Sequence, residues 1–433
     1  MATLTIPLSR IEGHAQVTIT FHGHEVLSAH FQATELRGFE YFVQGSRAED
    51  LPVIVPRICG VCSTAHHIAA VKALEHAFGV TPPPKAVRIR ELMMLGQLIQ
   101  NQATSLFVFT MPDLPGREGL PSMFHFGAED AALAPRALQV RRAGTELIAL
   151  AGGQFIHPVK AVVGGVTSGL PVEAARAMRA RLQGALPLAQ ELFERYWTLF
   201  VGLKDRIGTL GDDDSTYYLA AVEPHHAYYG HRIGVLAPNG AEEASFPACD
   251  YARYLTEAPV ETSYSNGTLF KGQVLRANSL ARLNMLPVLG TPLADRYMAR
   301  FRGEFGYPAH AILLFDLARG IELVYCLERA LELLEEDLDG DDLRVAYMPC
   351  DGEGCGLVEA PRGPLIHHYS IADGLVRSAK FIIPTQHNIL AIERALLVAA
   401  RRYITAQGIS LELERAVGRV VRAFDPCIAC ATH

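Results

Sequence analysis

Several features that would place a protein in a broad class are missing from this sequence. Its 433 residues carry 39 Lys and Arg against 46 Asp and Glu, so no basic excess points to nucleic acid or to an anionic membrane surface. No apolar run reaches the roughly 18–20 residues of a membrane-spanning helix. The first residues lack a basic segment followed by an apolar block, so we expect no signal peptide and a cytoplasmic protein, although export on a partner's signal would leave no trace here.

Cysteine is also scarce, with eight residues in the whole chain. This number is too small for a disulfide framework in a protein of this length, and we expect reduced thiols. Half of the cysteines nevertheless occur in two Cys-x-x-Cys pairs, Cys59 with Cys62 and Cys427 with Cys430. This spacing allows two thiolates to bind one metal centre.

The two Cys-x-x-Cys pairs are compatible with more than one metal. Structural zinc and a rubredoxin-like iron site both use such pairs. Zinc ribbons, however, bring their pairs close together in sequence, whereas these pairs lie near opposite ends of the chain. Four soft thiolates buried in a large enzyme favour nickel, iron or a mixed cluster.

The rest of the sequence is typical of an ordered globular protein, with 49% hydrophobic and 20% charged residues and no internal repeat. We expect one interleaved body over residues 1–433, with an α+β segment at 1–50 and a mainly α-helical body at 51–433 that carries the C-terminal ligand pair. Alternating apolar residues predict strands at 15–21 and 26–34. Helical periodicity predicts a helix after Cys62 and further helices at 86–109, 129–150, 171–203, 309–338, 389–407 and 411–424, with short strands at 208–292 and a loop-and-strand segment at 348–384.

Four separated motifs carry a family resemblance. They are Arg10-Ile11-Glu12-Gly13-His14, Arg57-Ile58-Cys59-Gly60-Val61-Cys62 followed by His66, Glu359-Ala360-Pro361-Arg362-Gly363, and Asp425-Pro426-Cys427 with Cys430 and His433. In this order they resemble the large, catalytic subunit of nickel–iron hydrogenases over essentially the whole chain. The residues around them are most similar to the cytoplasmic group, which is linked to NAD(P), a deazaflavin or a heterodisulfide reductase. The resemblance implies a large-subunit fold built on a central bundle of long helices.

The resemblance implies that all four cysteines bind nickel. Cys59 and Cys427 would be terminal ligands, while Cys62 and Cys430 would bridge to an iron that carries one carbon monoxide and two cyanides. A terminal thiolate can also act as a base, and Cys427 is expected to take the proton from split dihydrogen. Glu12 would be the first carboxylate of the proton exit, although a carboxylate at a strand end is also an ordinary salt-bridge residue.

The same resemblance assigns residues around the iron. Arg362 and the preceding Pro361 would lie over the iron, where a forked guanidinium donates to cyanide better than a lysine does. Thr385 would donate to the second cyanide, and Asp425 would orient Arg362, although Asp-Pro is also an ordinary helix stop. His66 would hydrogen-bond a bridging thiolate, although a lone helical histidine is more often a core residue.

A magnesium site is implied as well, with Glu40, His433 and the backbone carbonyl of Phe381 as ligands. The plainer interpretation of Glu40 is a surface helix charge. Precursors in the resembled family lose a short extension after the equivalent histidine once nickel is in place. We therefore expect a maturation protease and nickel chaperones as partners, and either the chain is the processed form or its gene stops at His433.

Electrons that leave the nickel need another polypeptide, because too few cysteines remain to hold iron–sulfur clusters. We expect an iron–sulfur small subunit, together with further electron-acceptor subunits of the flavin/NAD(P), deazaflavin or heterodisulfide reductase type. Cys249 and Cys326 have no partner motif and are interpreted as structural. Cys350 and Cys355 are either a redox switch or two buried thiols, and we favour the second interpretation.

The function that we predict is reversible, heterolytic cleavage of dihydrogen to protons and electrons by the catalytic subunit of a hydrogenase. The alternatives are a hydrogen-sensing regulatory subunit of the same fold and a non-catalytic relative of the kind found in respiratory complex I. The latter loses the cysteine pairs, which this chain keeps. Asn101 and Gln102 replace an acid or histidine pair of many relatives, so we expect one candidate proton carrier or partner of Arg362 to be missing. Gln386 and His387 likewise replace a commoner Thr-Trp pair of the respiratory members.

Overall fold

The computed structural model describes residues 1–117, 120, 122–208, 210–212, 216–222, 228–260 and 262–432. Its helices are α1 (Phe39–Phe42), α2 (Leu51–Ile54), α3 (Ser63–Phe78), α4 (Pro84–Ala103), α5 (Leu133–Gly152), α6 (Val172–Val201), α7 (Lys204–Ile207), α8 (Tyr251–Tyr254), α9 (Ser279–Met285), α10 (Pro292–Phe305), α11 (Leu314–Leu333), α12 (Pro384–Tyr403), α13 (Leu413–Phe424) and α14 (Ile428–Ala431). Its strands are β1 (Ala2–Pro7), β2 (Ala15–His22), β3 (Glu25–Ala33), β4 (Ala161–Val162), β5 (Gly165–Val166), β6 (Tyr217–Ala221), β7 (Arg232–Leu236), β8 (Glu242–Pro247), β9 (Leu255–Ala258), β10 (Gly267–Phe270), β11 (Gln273–Arg276), β12 (Gly352–Ala360), β13 (Gly363–Ala372), β14 (Leu375–Ile382), β15 (Ile404–Thr405) and β16 (Gly408–Ile409). Within these ranges, no helix combines the length and the apolar character that crossing a membrane requires.

The N-terminal segment forms a small antiparallel sheet in the order β1-β2-β3. Strands β2 and β3 lie close to the two predicted strands, because Val17, Ile19 and Phe31 alternate into the core and are fully buried. Strand β1 was not predicted. It adds Ile6 to the same core and leads the chain towards Glu12.

Long helices form the centre of the molecule, as the resemblance implied. Helix α11 is buried along almost its whole length and packs against α4 and α6. Helices α4 and α5 approach closely because both carry glycine at the contact. A Cβ on Gly144 would lie 2.6 Å from the amide nitrogen of Gln100, and a Cβ on Gly96 would lie 2.9 Å from Cγ1 of Ile148.

Two larger sheets lie within the body that we expected to be mainly helical. One has six strands in the order β8-β7-β6-β11-β10-β9, and the other is the antiparallel sheet β12-β13-β14. We expected short strands at 208–292 and a loop-and-strand segment at 348–384. Strand β12 is buried on both faces over most of its length, so its sequence lacks the alternation that marks a half-exposed strand.

Helix α3 lies flat on β12 and brings the first cysteine pair to the end of this second sheet. Gly354 and Gly356 make the contact possible, since a Cβ on either would overlap a backbone carbonyl of α3. Cys62 precedes α3, and Arg362 follows β12. The packing of one helix on one strand therefore sets the distance between that thiol and that guanidinium.

Some helix boundaries differ from the predicted ones. Helix α12 begins at Pro384 rather than at 389, since a proline at the first turn has no N–H to leave unpaired. The predicted helix 86–109 changes character at Ala103, because Thr104–Thr110 is π-helical. Helix α11 occupies only Leu314–Leu333 of the predicted 309–338.

Candidate metal centre

The first cysteine pair lies where a short 3-10 turn meets a long helix. The turn Val55–Ile58 ends at Cys59, and Cys62 caps the N-terminus of α3. Gly60 and Val61 between them are exposed, whereas both cysteines are buried. The two thiols therefore point inward from a loop at the surface.

The second pair follows α13. Asp425 ends that helix in the left-handed conformation with a φ of 50°, and Cys427 then forms an isolated parallel bridge with Glu12. The N–H of Ile428 donates to the carbonyl of Glu12 at 3.1 Å. Only glycine fits at Gly13 beside this bridge, because its φ is 80° and a Cβ would lie 2.8 Å from Cβ of Ile428.

The fold brings the four thiols together from opposite ends of the sequence. Their sulfur atoms lie within 4.8 Å of one another, and all four residues are buried. The sulfur of Cys427 is central, at 2.9 Å from that of Cys430, 3.5 Å from that of Cys59 and 3.7 Å from that of Cys62. Four thiolates at these separations can close on one soft metal ion.

Burial and mutual hydrogen bonds shift the pKa values of the four thiols in opposite directions. Burial raises the pKa of Cys427 and of Cys430 well above that of a free thiol. Hydrogen bonds with Cys427 lower the pKa of Cys59 and Cys62. By themselves, the four groups therefore share protons rather than ionise together. A bound metal ion supplies the positive charge that stabilises four thiolates at once.

Arg362 lies against the cluster at the turn between β12 and β13. Its Nη1 donates to the sulfur of Cys62 at 3.2 Å, and its Nη2 donates to Oδ1 of Asp425 at 3.1 Å. Its Nε donates to the backbone carbonyl of Asp425. Asn101 donates to the other carboxylate oxygen of Asp425 at 3.0 Å. We expected Asn101 to leave Arg362 without one partner. Asn101 instead supports Arg362 through Asp425, since an amide can donate where an ionised carboxylate cannot.

A small apolar pocket adjoins three of the four thiols. Its cavity volume is about 10 Å³, roughly the room that one water molecule needs, and Cys59 is not part of its wall. Thr385 accepts from the N–H of Cys427 at 3.0 Å through Oγ1, so its own hydroxyl hydrogen can be donated elsewhere. The pocket therefore lies on one side of the cluster. The residues that line it include Cys62, Cys427, Cys430, His66, Pro361, Arg362 and Thr385.

Glu12 is the carboxylate in contact with the cluster. Its Oε2 lies 3.0 Å from the sulfur of Cys427 and accepts from the N–H of Ala429 at 3.2 Å, while its Oε1 lies 3.7 Å from the sulfur of Cys59. Burial raises the pKa of Glu12, and the neighbouring Cys59 raises it further. A carboxyl group with a raised pKa next to a thiol is suited to receive a proton and to pass it on.

Comparison with known proteins agrees with this geometry. A family model described as nickel-dependent hydrogenase matches residues 37–111 and 223–433, and a second, described as HoxL-like, matches residues 3–36. The chain belongs to the nickel-dependent hydrogenase family. The matched ranges include all four thiols and Glu12.

Individual relatives align with this hydrogenase subunit over nearly its whole length. One subunit of the F420-non-reducing hydrogenase vhu of Methanocaldococcus jannaschii is 38% identical over 91% of this chain and 97% of its own. The beta subunit of the NAD-reducing hydrogenase HoxS of Cupriavidus necator is 30% identical over 99% of this chain and 93% of its own. The crystal structure of an NAD+-reducing NiFe-hydrogenase in the H2-reduced state is similar with a TM-score of 0.95 and 33% identity, with 100% of both chains covered. The predicted family, large-subunit fold and catalytic function in hydrogen metabolism are thereby confirmed.

His66 lies one helical turn after Cys62 in the hydrogenase subunit, which places its side chain beside the four thiols. Its Nε2 lies 3.5 Å from the sulfur of Cys430, and its Nδ1 lies 3.0 Å from Nε2 of His367. His367 was not among the residues predicted for the site. The available signal was the alternation of His367 and Tyr369, which sends both side chains to one face of β13.

The predicted magnesium ligands come together only in part within the described residues. Glu40, on α1, accepts from the N–H of Phe381 at 2.8 Å and lies 3.3 Å from Nζ of Lys380. Phe381 thus contributes its N–H here, where we expected its carbonyl. His433 lies outside the described residues. Glu40 is therefore a paired carboxylate on the β14 side rather than an isolated surface charge.

The cysteines outside the cluster differ from expectation in one respect. Cys355 is buried in β12 but Cys350 is exposed, so the interpretation of this pair as two buried thiols is wrong for Cys350. The physical reason is that Cys350 precedes β12 in a stretch that lies at the surface. Cys326 is buried in α11, and Cys249 is exposed.

Proposed function

We propose that Cys59, Cys62, Cys427 and Cys430 bind nickel, that Cys62 and Cys430 also bridge to an iron carrying one carbon monoxide and two cyanides, and that the subunit cleaves dihydrogen there reversibly and heterolytically. The observation that carries the proposal is the convergence of four buried thiols within 4.8 Å of one another beside a pocket that Arg362 lines. When bound, the nickel–iron centre supplies the polarisation of dihydrogen and takes up its electrons. Structural zinc would also suit four thiolates, but it needs no adjoining pocket.

Cys427 is the residue to which we assign the first proton. Its sulfur contacts the other three thiols and also lies 3.0 Å from Oε2 of Glu12. Glu12 then accepts the proton and passes it outward. The N–H of Ala429 holds the receiving carboxylate in place, and burial raises the pKa of Glu12 towards the range in which a carboxyl group can hold a proton in transit.

Arg362 and Thr385 are proposed to donate to the cyanides of the iron. Asp425 holds Arg362 through its side chain and its backbone carbonyl, so the guanidinium is oriented before any ligand arrives. Thr385 and Pro361 line the same pocket. Buried donors that face an anionic ligand act more strongly than the same donors in water.

An iron–sulfur small subunit is the partner that we propose for electron transfer. The loop between Cys59 and Cys62 is exposed, so the centre lies just beneath the surface. Arg37 donates to the carbonyl of Ile58 at 2.9 Å and thereby ties the neighbouring apolar segment to this loop. The segment around Arg37 also exposes the apolar side chains of Leu36, Tyr41 and Phe42, which suit contact with a protein partner.

The electron acceptor and the compartment follow from the same proposal. We expect a cytoplasmic complex with further subunits of the flavin/NAD(P), deazaflavin or heterodisulfide reductase type. One relative is named for not reducing F420 and another for reducing NAD, which favours an acceptor other than a deazaflavin. Both relatives are named as subunits of larger enzymes, which supports an assembly of several chains. A maturation protease and nickel chaperones belong to the same proposal.

We also propose that residues 1–433 act as one interleaved body. Glu12 and Gly13, from the segment 1–50, contact the C-terminal ligand pair of the body 51–433 directly. The magnesium site at Glu40, His433 and the Phe381 carbonyl stays a proposal. A cation there would share Glu40 with the ammonium of Lys380, and metal analysis of Glu40→Gln tests it.

Infrared absorption of the purified complex, with nickel and iron quantified in the same sample, tests the proposed function. We expect one carbonyl band, two cyanide bands and about one nickel per chain. Fast hydrogen-dependent reduction of an artificial dye would separate an enzyme from a hydrogen sensor. Zinc in place of nickel, with no such bands in a fully matured sample, would overturn the proposal.

A further inference from the structure

A series of hydrogen bonds runs from the metal ligands into the core through two residues that the proposed function does not use. His66 Nε2 lies 3.5 Å from the sulfur of Cys430, and His66 Nδ1 lies 3.0 Å from Nε2 of His367. Nδ1 of His367 lies 2.6 Å from the hydroxyl of Tyr369. All four residues are at most 3% exposed. Bulk water therefore does not compete for these bonds, which strengthens them.

Secondary structure and packing hold the members of this series in place. His66 lies one turn after Cys62, and its N–H donates to the carbonyl of Cys62 at 3.2 Å. His367 and Tyr369 share one face of β13. Phe381 packs edge-on against both of their rings, with centroids 4.7 Å from His367 and 6.2 Å from Tyr369. The ring planes are thus set by packing as well as by hydrogen bonds.

Counting donors and acceptors gives these hydrogen bonds a direction. A metal-bound Cys430 has no S–H and can only accept, so His66 must donate from Nε2. A neutral imidazole that donates from Nε2 accepts at Nδ1, so His367 must donate to it from its own Nε2. His367 then accepts at Nδ1, and the donor is the hydroxyl of Tyr369. With both imidazoles neutral, this arrangement of hydrogens satisfies all three bonds.

We propose that His367 and Tyr369 are positioning residues that hold His66 in the Nε2–H tautomer, aimed at the thiolate of Cys430. The inference deepens the proposed nickel–iron site and rests on it. A hydrogen bond to a bridging thiolate withdraws electron density from the sulfur and hence from the metals that it binds. Tyr369 therefore tunes the centre through two histidines without touching it.

The substitution Tyr369→Phe tests the inference by removing one hydroxyl. Without that donor, the bond from His66 to Cys430 weakens and the sulfur donates more density to the iron, which increases back-donation into carbon monoxide. We expect the carbonyl band to move to lower frequency, with nickel content unchanged and hydrogen oxidation reduced by about tenfold. The matched control is Tyr251→Phe, because the hydroxyl of Tyr251 lies 3.3 Å from Nδ1 of His368 on the opposite face of β13. That variant should keep the original carbonyl frequency.

Two substitutions of His367 separate positioning from simple packing. His367→Gln retains an amide that can donate to His66 and a carbonyl that can accept from Tyr369, so its carbonyl band should stay close to the original. His367→Leu retains bulk but neither group, and its band should move as in Tyr369→Phe. Unchanged carbonyl frequencies in nickel-loaded Tyr369→Phe and His367→Leu would overturn the inference.

Nitrogen-15 spectra of ring-labelled histidine in the metal-loaded protein give a second measurement, with His66→Gln and His367→Gln used to assign the signals. We expect the Nε2–H tautomer at both residues, and an Nδ1–H tautomer at either would overturn the inference. This result requires only a metal-bound Cys430. A complex without carbonyl and cyanide bands would instead overturn the proposed function, so the two failures are distinguishable.

Discussion

The two ligand pairs of the metal centre are held in different ways. Cys59 and Cys62 lie on local secondary structure, at the start of α3, which has 16 residues and is almost entirely buried. Cys430 lies on α14, which has only four residues, and Cys427 is the N-cap residue of that helix. Contacts from distant parts of the chain hold the second pair in place, from Glu12, Thr385 and the ion pair between Arg362 and Asp425.

This difference separates a ligand pair that forms with its helix from one that forms with the whole fold. The first pair needs α3 and the strand beneath it. The second pair is placed only when the N-terminal segment, the turn after β12 and the start of α12 have all come together. Remote substitutions should therefore affect the second pair more than the first.

Removing one cysteine ligand should have the largest effect on nickel binding and activity, and the effect should be the same for either pair. We expect Cys62→Ala and Cys430→Ala each to lose nickel and all measurable hydrogen-dependent dye reduction, because a closed thiolate site does not survive with three ligands. Metal analysis and a dye assay measure both effects. Cys326→Ala is the control, since it removes an equally buried thiol away from the cluster. Full nickel occupancy in Cys430→Ala would contradict the assignment.

Acid should destabilise the regions around the two ligand pairs to a similar extent, because a buried neutral histidine supports each region. Burial lowers the pKa of His67 and of His387 to about 4, against about 6.5 in the unfolded chain. Since the folded pKa is depressed, the contribution to stability is complete above about pH 6.5 and is lost as the pH falls to about 4, by about 3 kcal/mol for each histidine.

Denaturant unfolding between pH 7 and pH 4 measures this acid sensitivity. The variants His67→Asn and His387→Asn should each lose part of the pH dependence, because asparagine binds no proton in this range. The imidazoles donate to the carbonyls of Pro52 and Pro364, which the shorter amide reaches less well, so both variants should be less stable at pH 7. A variant with the same pH dependence as the original protein would show that its histidine is not the titrating group.

Gly13→Ala and Gly60→Ala compare the two pairs directly. At Gly13 the positive φ and the Cβ of Ile428 at 2.8 Å oppose any side chain, so we expect a loss of about 2–3 kcal/mol of unfolding free energy and lower nickel occupancy. No atom lies within 4 Å of a Cβ placed on Gly60, so that variant should stay within about 0.5 kcal/mol of the original. Equal losses in the two variants would remove the distinction between the pairs.

The substitution Asp425→Asn tests the role of the ion pair that holds the second ligand pair. Asparagine retains the left-handed conformation but loses the charge opposite Arg362, and we expect hydrogen oxidation to fall by about 10–100-fold. Asp373→Asn is the matched control, because Asp373 has a φ of 55° and forms an exposed ion pair. That variant should retain full activity in the dye assay. Similar activities for both variants would mean that Arg362 is held without Asp425.

Features that depend on neighbouring residues could be predicted from the sequence. The alternation of Val17 and Ile19 identified a strand, and each Cys-x-x-Cys pair was recognisable from its own spacing. Other features could not be predicted, because they depend on which surfaces meet. The exposure of Cys350, the support that Asn101 gives to Asp425 and the contact of His367 with His66 are of this kind.

The sequence by itself determined which groups could bind a soft metal, and its motifs identified the hydrogenase family before any distance was known. Only the tertiary structure decided that the four sulfurs lie within 4.8 Å of one another, that Glu12 reaches Cys427 and that a pocket opens on one side of the cluster. The physical reason is that local spacing specifies the geometry within each Cys-x-x-Cys pair, whereas the distance between the pairs is set by the packing of α3 on β12 and by the bridge from Glu12 to the last helix.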